Sequence, residues 1–147
     1  MISEHAIEID APIEVVWSTY AAVEHWPDWT ASVRSIDALD GAELSVGRRY
    51  RISQPRFPTL VWQVSELEPG RSWSWEQRSP GGRTLGVHEV EPLGPRRTRV
   101  TQRIDQRGPI GALVGRLVRG TTRRYLEMEA QGLKRASEAR ADDAAAP

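Results

Sequence analysis

His88 is the residue best suited to chemistry in this chain of 147 residues. Imidazole titrates near neutral pH, so it can exchange a proton with a ligand hydroxyl or an enolisable ketone. It stands two residues before Val90 in an alternating stretch, and residues two apart in a strand share a face. The same alternation sets Gln77 beside Trp75, and Gln102 between Val100 and Ile104. Tyr125 follows Thr121 by four residues, so on a helix the two share one side and Tyr125 can offer a hydroxyl donor. Trp62, Trp73 and Trp75 recur at alternating positions in strand-like stretches, and Trp73 and Trp75 fall on the same side. A face with two large rings needs a cover, either a packed core or a bound apolar ligand. No second titratable group pairs with His88 in the sequence, so a hydrogen-bonded structural histidine is the competing reading.

Other chemistries find little support. His5 lies near the terminus and His25 beside the Trp26-Pro27 turn, and three scattered histidines with no cysteine make a metal site improbable. The segment Gly108-Pro109-Ile110-Gly111-Ala112-Leu113-Val114-Gly115 lacks the Lys-Ser/Thr of a phosphate loop and the spacing of a dinucleotide fingerprint. It reads as close packing where a strand turns into a helix, and no cofactor is expected. Lys+Arg 20 balances Asp+Glu 20, so net charge steers the chain neither to nucleic acid nor to an anionic membrane. Arg116, Arg119, Arg123 and Arg124 read as a solvated face, since Glu127 and Glu129 follow directly. No basic-then-apolar leader opens the chain, and no apolar run approaches the ~20 residues that span a bilayer, so the expected compartment is the cytoplasm.

The elements that must position these side chains follow from periodicity. Residues 4 to 10 alternate as a half-buried strand. Asp10 is placed to cap a helix with Pro12 in its first turn, ending near Tyr20, and a second short helix over Val23 to Trp26 stops at Pro27. From Val33 onward, short strands divided by Gly and Pro turn signals favour an antiparallel meander. From Ile110 to about Ala136, Ile110, Leu113, Val114, Leu117, Val118, Tyr125, Met128 and Leu133 form one stripe on a long helix. Residues 137–147 are small and acidic with nothing to bury, and read as a disordered tail after one domain over 1–136.

This order of elements matches an α+β helix-grip architecture: a seven-stranded curved antiparallel sheet around a long C-terminal helix, with two short helices after the first strand. The segments Ile9 to Trp17, Trp26-Pro27-Asp28-Trp29, Trp62 to Arg71 and Trp73-Ser74-Trp75 resemble the START-like superfamily, and more narrowly its polyketide cyclase/dehydrase (SRPBCC) branch. The resemblance covers roughly residues 3 to 136. It implies a cavity between sheet and helix, with Trp62, Trp73, Trp75, Gln77, His88 and Gln102 facing Leu117, Thr121 and Tyr125. Three functions then compete. The first is binding of a small hydrophobic, lipid-like, aromatic or polyketide-like molecule. The second is a cyclase or dehydratase that moves protons with His88 and Tyr125. The third is an interaction protein, with which a homodimer would be compatible.

Overall fold

The computed structural model describes residues 1–145. Seven strands form one antiparallel sheet: β1 (Ile2–Ile9), β2 (Ser35–Ala38), β3 (Arg49–Ser53), β4 (Leu60–Glu68), β5 (Ser72–Ser79), β6 (Gly82–Gly94) and β7 (Arg97–Arg107). Their spatial order is β1-β7-β6-β5-β4-β3-β2, so β2 to β7 run as the expected meander and β1 closes against the last strand. α1 (Ile13–Ala21) and a 3₁₀ helix (Val23–Asp28) link β1 to β2, and α2 (Pro109–Leu117) and α3 (Arg119–Ala145) follow β7. This is the helix-grip arrangement.

Several local expectations change. Pro12 is the residue that precedes α1, and its carbonyl accepts from Val15 and Val16. No side chain caps that helix; the backbone N–H of Asp10 instead donates to the Glu138 carboxylate of α3 at 2.9 Å. Pro27 lies inside the 3₁₀ helix, a tight turn that tolerates a missing N–H, rather than ending it. The long C-terminal helix is interrupted at Val118, which splits it into α2 and α3. The expected tail at 137–147 is also corrected: α3 continues to Ala145 because Ser137 and Ala141 are buried. Only residues 146 and 147 of that tail lie outside the described residues.

The core explains where space remains. α3 packs mainly against β1 and α1, and Lys134 pins it by donating to the Glu8 carbonyl and pairing with Glu138. On the other side of the sheet's inner face, Tyr20, Trp26, Trp73, Trp75 and His88 form a continuous aromatic cluster with centroids 4.1 to 6.3 Å apart. These contacts fill one end of the space between sheet and α3 and leave the other end open. Gly86 sits opposite Trp75, and a Cβ there would meet the Trp75 indole at 2.8 Å. The glycine-rich link to α2 is tight as expected: a Cβ on Gly82 would lie 2.9 Å from the Gly111 nitrogen, and Ile110 donates its N–H to the Gly81 carbonyl at 3.0 Å.

Gly132 lets α3 approach the 3₁₀ helix so closely that a Cβ would come within 2.0 Å of the Trp29 carbonyl oxygen. Gly132→Ala is expected to cost about 1–3 kcal/mol in urea unfolding through overpacking. Gly120, in the same helix with nothing within 4 Å of its Cβ position, is the control. Gly120→Ala should be neutral or stabilising by up to about 1 kcal/mol. Equal effects at the two sites would contradict the close approach.

Candidate functional site

The open end of that space is a cavity of about 260 Å³. Ile52, Trp62, Trp75 and Ile104 wall it from the sheet, and Val118 and Leu126 from the helices. Its mouth lies among the β3–β4 loop (Phe57, Pro58), the β5–β6 turn (Pro80) and α2 (Ile110, Val114), where most side chains are solvent-exposed. The walls are apolar because alternation puts every second strand residue on this face while polar partners such as Gln63 and Glu89 face outward.

The polar groups are gathered among buried residues. Sheet register places His88 directly opposite Gln102 on β7 and opposite Trp73 on β5. The imidazole stacks flat on the Trp73 indole, 4.1 Å between centroids and 12° between planes, with Tyr20 and Trp26 edge-on. Its Nδ1 lies 3.2 Å from the Trp73 carbonyl oxygen. A carbonyl only accepts, so Nδ1 carries the proton and Nε2 is left as a lone-pair acceptor. Nε2 is buried and has no partner. Burial pushes the His88 pKa down to about 3, against a small opposing effect of the Trp73 carbonyl, so the ring is neutral at pH 7.

Glu129 of α3 supplies the second buried titratable group. Burial pushes its pKa up to about 7, opposed by hydrogen bonds from Gln102 and Ser32. Gln102 Nε2 donates to Glu129 Oε1 at 3.3 Å, and the Ser32 hydroxyl is in turn 2.8 Å from that of Thr30. Tyr20 is held well above the usual phenol range by burial and then by the Glu129 charge, and its hydroxyl is buried without a partner. The wall of the cavity thus includes two buried acceptors without a partner, His88 Nε2 and Gln106 Oε1, and one carboxyl, Glu129, whose pKa burial raises to about 7.

Of the residues singled out in the sequence, Trp62, Trp75, Gln77, His88, Gln102 and Tyr125 line the cavity together. Trp73, Leu117 and Thr121 do not. Trp73 is 1% exposed and packs behind His88 against Trp17 and Tyr20. Leu117 is 77% exposed. The cavity-facing row steps by fours through Ile110, Val114, Val118, Thr122 and Leu126, so Thr122 rather than Thr121 is buried against the cavity. Tyr125 does face it, but its hydroxyl donates to the Pro55 carbonyl, and Phe57 packs edge-on against its ring at 5.6 Å. That bond fastens the β3–β4 loop to α3. Gln77 likewise turns its amide to the Arg78 carbonyl at 2.8 Å.

The structure overturns the expectation that Glu129 belongs to a solvated face: it is 6% exposed. The usable signal was its position four residues after Tyr125 and four before Leu133, within the set Thr122, Tyr125, Leu126, Glu129, Ala130 and Leu133 that α3 buries. Among the described residues, no group of three or more His, Cys, Asp or Glu could hold a metal ion, and no helix is long and apolar enough to cross a membrane.

An antiparallel sheet gripping a long C-terminal helix is a fold shared with many solved structures. A hypothetical protein of Helicobacter pylori has the same fold, with a TM-score of 0.77 over 93% of this chain and 88% of that one at 16% identity. The chain belongs to the polyketide cyclase / dehydrase and lipid transport family, which it matches over residues 2–138. A provisional polyketide cyclase of Streptomyces halstedii is 29% identical over 115 residues, 76% of this chain and 94% of that protein. The di-domain ARO/CYC protein of the BE-7585A biosynthetic pathway is 25% identical with a TM-score of 0.69, covering 94% of this chain and 46% of that one.

The two buried groups make opposite demands on stability. Glu129 is protonated in the folded chain up to about pH 7 but only to about 4.5 when unfolded, so its contribution is full below pH 4.5 and is lost as pH rises to 7. His88 is neutral in the folded chain down to about pH 3, while its unfolded value is 6.5, so its contribution is missing at low pH and grows up to pH 6.5. Between pH 4.5 and 6.5 the slopes oppose each other. Urea unfolding of Glu129→Gln should therefore gain about 2 kcal/mol across this interval relative to the wild-type profile. Parallel profiles for the two proteins would contradict the buried carboxyl.

Proposed function

We propose that this protein binds one small, largely apolar, aromatic or polyketide-like molecule in the cavity. The observation that carries the reading is the apolar-walled space of about 260 Å³ with a buried, unpartnered His88 Nε2 among its lining. An unmade hydrogen bond in a buried site costs free energy, and a guest hydroxyl can recover it. The volume is at the small end for ligand pockets, so the guest has few rings or extends through the mouth. Family membership and the ARO/CYC likeness support an aromatic or polyketide-like guest without naming one.

A reaction on that guest, of cyclase or dehydratase type, is the second reading, and one observation favours it. A carboxyl held near pH 7 can both take and give a proton at neutral pH, and Glu129 lines the cavity. In this reading Glu129 exchanges the proton, neutral His88 accepts a hydrogen bond from the substrate, and Tyr125 anchors the loop. Glu129→Gln should then abolish turnover of a supplied polyketide while leaving affinity within about threefold.

Calorimetric titration with 1-naphthol and with naphthalene separates a polar-ended site from a merely greasy one. One hydrogen bond should make 1-naphthol about tenfold tighter. Trp62→Ala, which removes a wall ring, should weaken both probes. Absence of saturable binding by either probe would overturn the binding reading.

A further inference from the structure

The helix at the cavity mouth has an outer side that the ligand reading leaves unexplained. α2 exposes Ile110, Leu113, Val114 and Leu117, at 52%, 58%, 45% and 77%. Two rows four residues apart can be separated. Ile110, Val114 and Val118 line the mouth, whereas Leu113 and Leu117 line nothing. Exposed aliphatic side chains this concentrated on one short helix call for a cover.

Charge identifies that cover. Between Asp105 and Glu127 the chain has no carboxylate and five arginines. Arg107 pairs with Asp105, but Arg116, Arg119, Arg123 and Arg124 are exposed and make no ion pair among the described residues. Across the mouth, exposed Arg56 also lacks an ion pair and stands next to Phe57 and Pro58. The whole chain is neutral, so this is a local excess rather than a general one. The surface is an exposed helix side with unpaired arginines on its last turn and on the first turns of α3, and Leu113 and Leu117 do not belong to the cavity lining. Apolar side chains that can enter the headgroup boundary, followed in the chain by exposed arginines that can pair with lipid phosphates, fit a bilayer surface.

We propose that α2 is a docking element for an anionic lipid bilayer, which presses the cavity mouth against the membrane surface. Docking of this kind is peripheral: one turn of Leu113 and Leu117 enters the interface and nothing spans it. An apolar guest dissolved in the bilayer would then reach the cavity without crossing water. The docking itself does not depend on the guest, and it is tested with vesicles that contain none.

The full chain is co-sedimented with vesicles of phosphatidylcholine containing about one third phosphatidylglycerol. Binding is expected, and should fall away on pure phosphatidylcholine and at high salt. Leu113→Ser/Leu117→Ser and Arg119→Gln/Arg123→Gln should each weaken it about tenfold or more, with unfolding midpoints and 1-naphthol affinity unchanged. No binding to the anionic vesicles overturns the proposal, as does binding that both double variants retain. A wild-type dimer that Leu113→Ser/Leu117→Ser dissolves, with no vesicle binding, assigns the face to a second copy of the chain and also overturns it.

Discussion

The stack of His88 on Trp73, closed by the bond from His88 Nδ1 to that tryptophan's own carbonyl, is the contact on which the site depends. The bond fixes the tautomer of a buried imidazole, and burial keeps the ring neutral against that bond's opposing effect, so a polar ring sits inside an aromatic cluster without a counter-ion. Because Tyr20 and Trp26 pack on the same two rings, the cluster fills one end of the groove beneath α3. What remains between the sheet and the helices is a cavity with apolar walls. Lose the stack, and both the shape of the empty space and the acceptor at its wall change together.

Electrostatics in this site is governed by burial more than by pairing. The ion pairs lie toward the outer surface, such as Arg49 with Asp40 and Arg97 with Glu8. Of the paired residues, Arg83, paired with Glu76, also lines the cavity. Inside, burial raises the Glu129 pKa to about 7, and the opposing hydrogen bonds from Gln102 and Ser32 do not cancel it. A neutral acceptor and a poised carboxyl in an apolar setting suit recognition of a weakly acidic hydroxyl. They also suit proton exchange with such a group, so binding and catalysis are readings of one geometry here.

Much of this was legible in the sequence, for reasons that can be named. Period-two alternation gave the inward face of Trp62, Trp75, His88 and Gln102, and the meander's register brought His88 and Gln102 together without any need to know the turns. The helical side was less readable. The apolar stripe from Ile110 onward includes both Leu113 and Leu117 and both Val114 and Val118, and apolar character alone does not tell which of these two rows faces the cavity; the inward row is Ile110, Val114, Val118 and Thr122, which leaves Leu117 and Thr121 outside it. Glu129 escaped because charge normally marks the wet face of a helix. The small and polar character of Ala130, Ser137 and Ala141 likewise disguised a buried face that extends α3 to Ala145, where the expected tail should have begun.

The claim that most else rests on is that His88 is a neutral acceptor within reach of a guest. Nitrogen-15 NMR of the histidine ring at neutral pH, with and without 1-naphthol, tests it directly. The account predicts a protonated Nδ1 and a bare Nε2 in the free protein, with no titration through the ordinary histidine range, and a shift of the Nε2 resonance when the guest enters. A ring that titrates near pH 6.5, or an Nε2 signal unmoved by a bound guest, would contradict it.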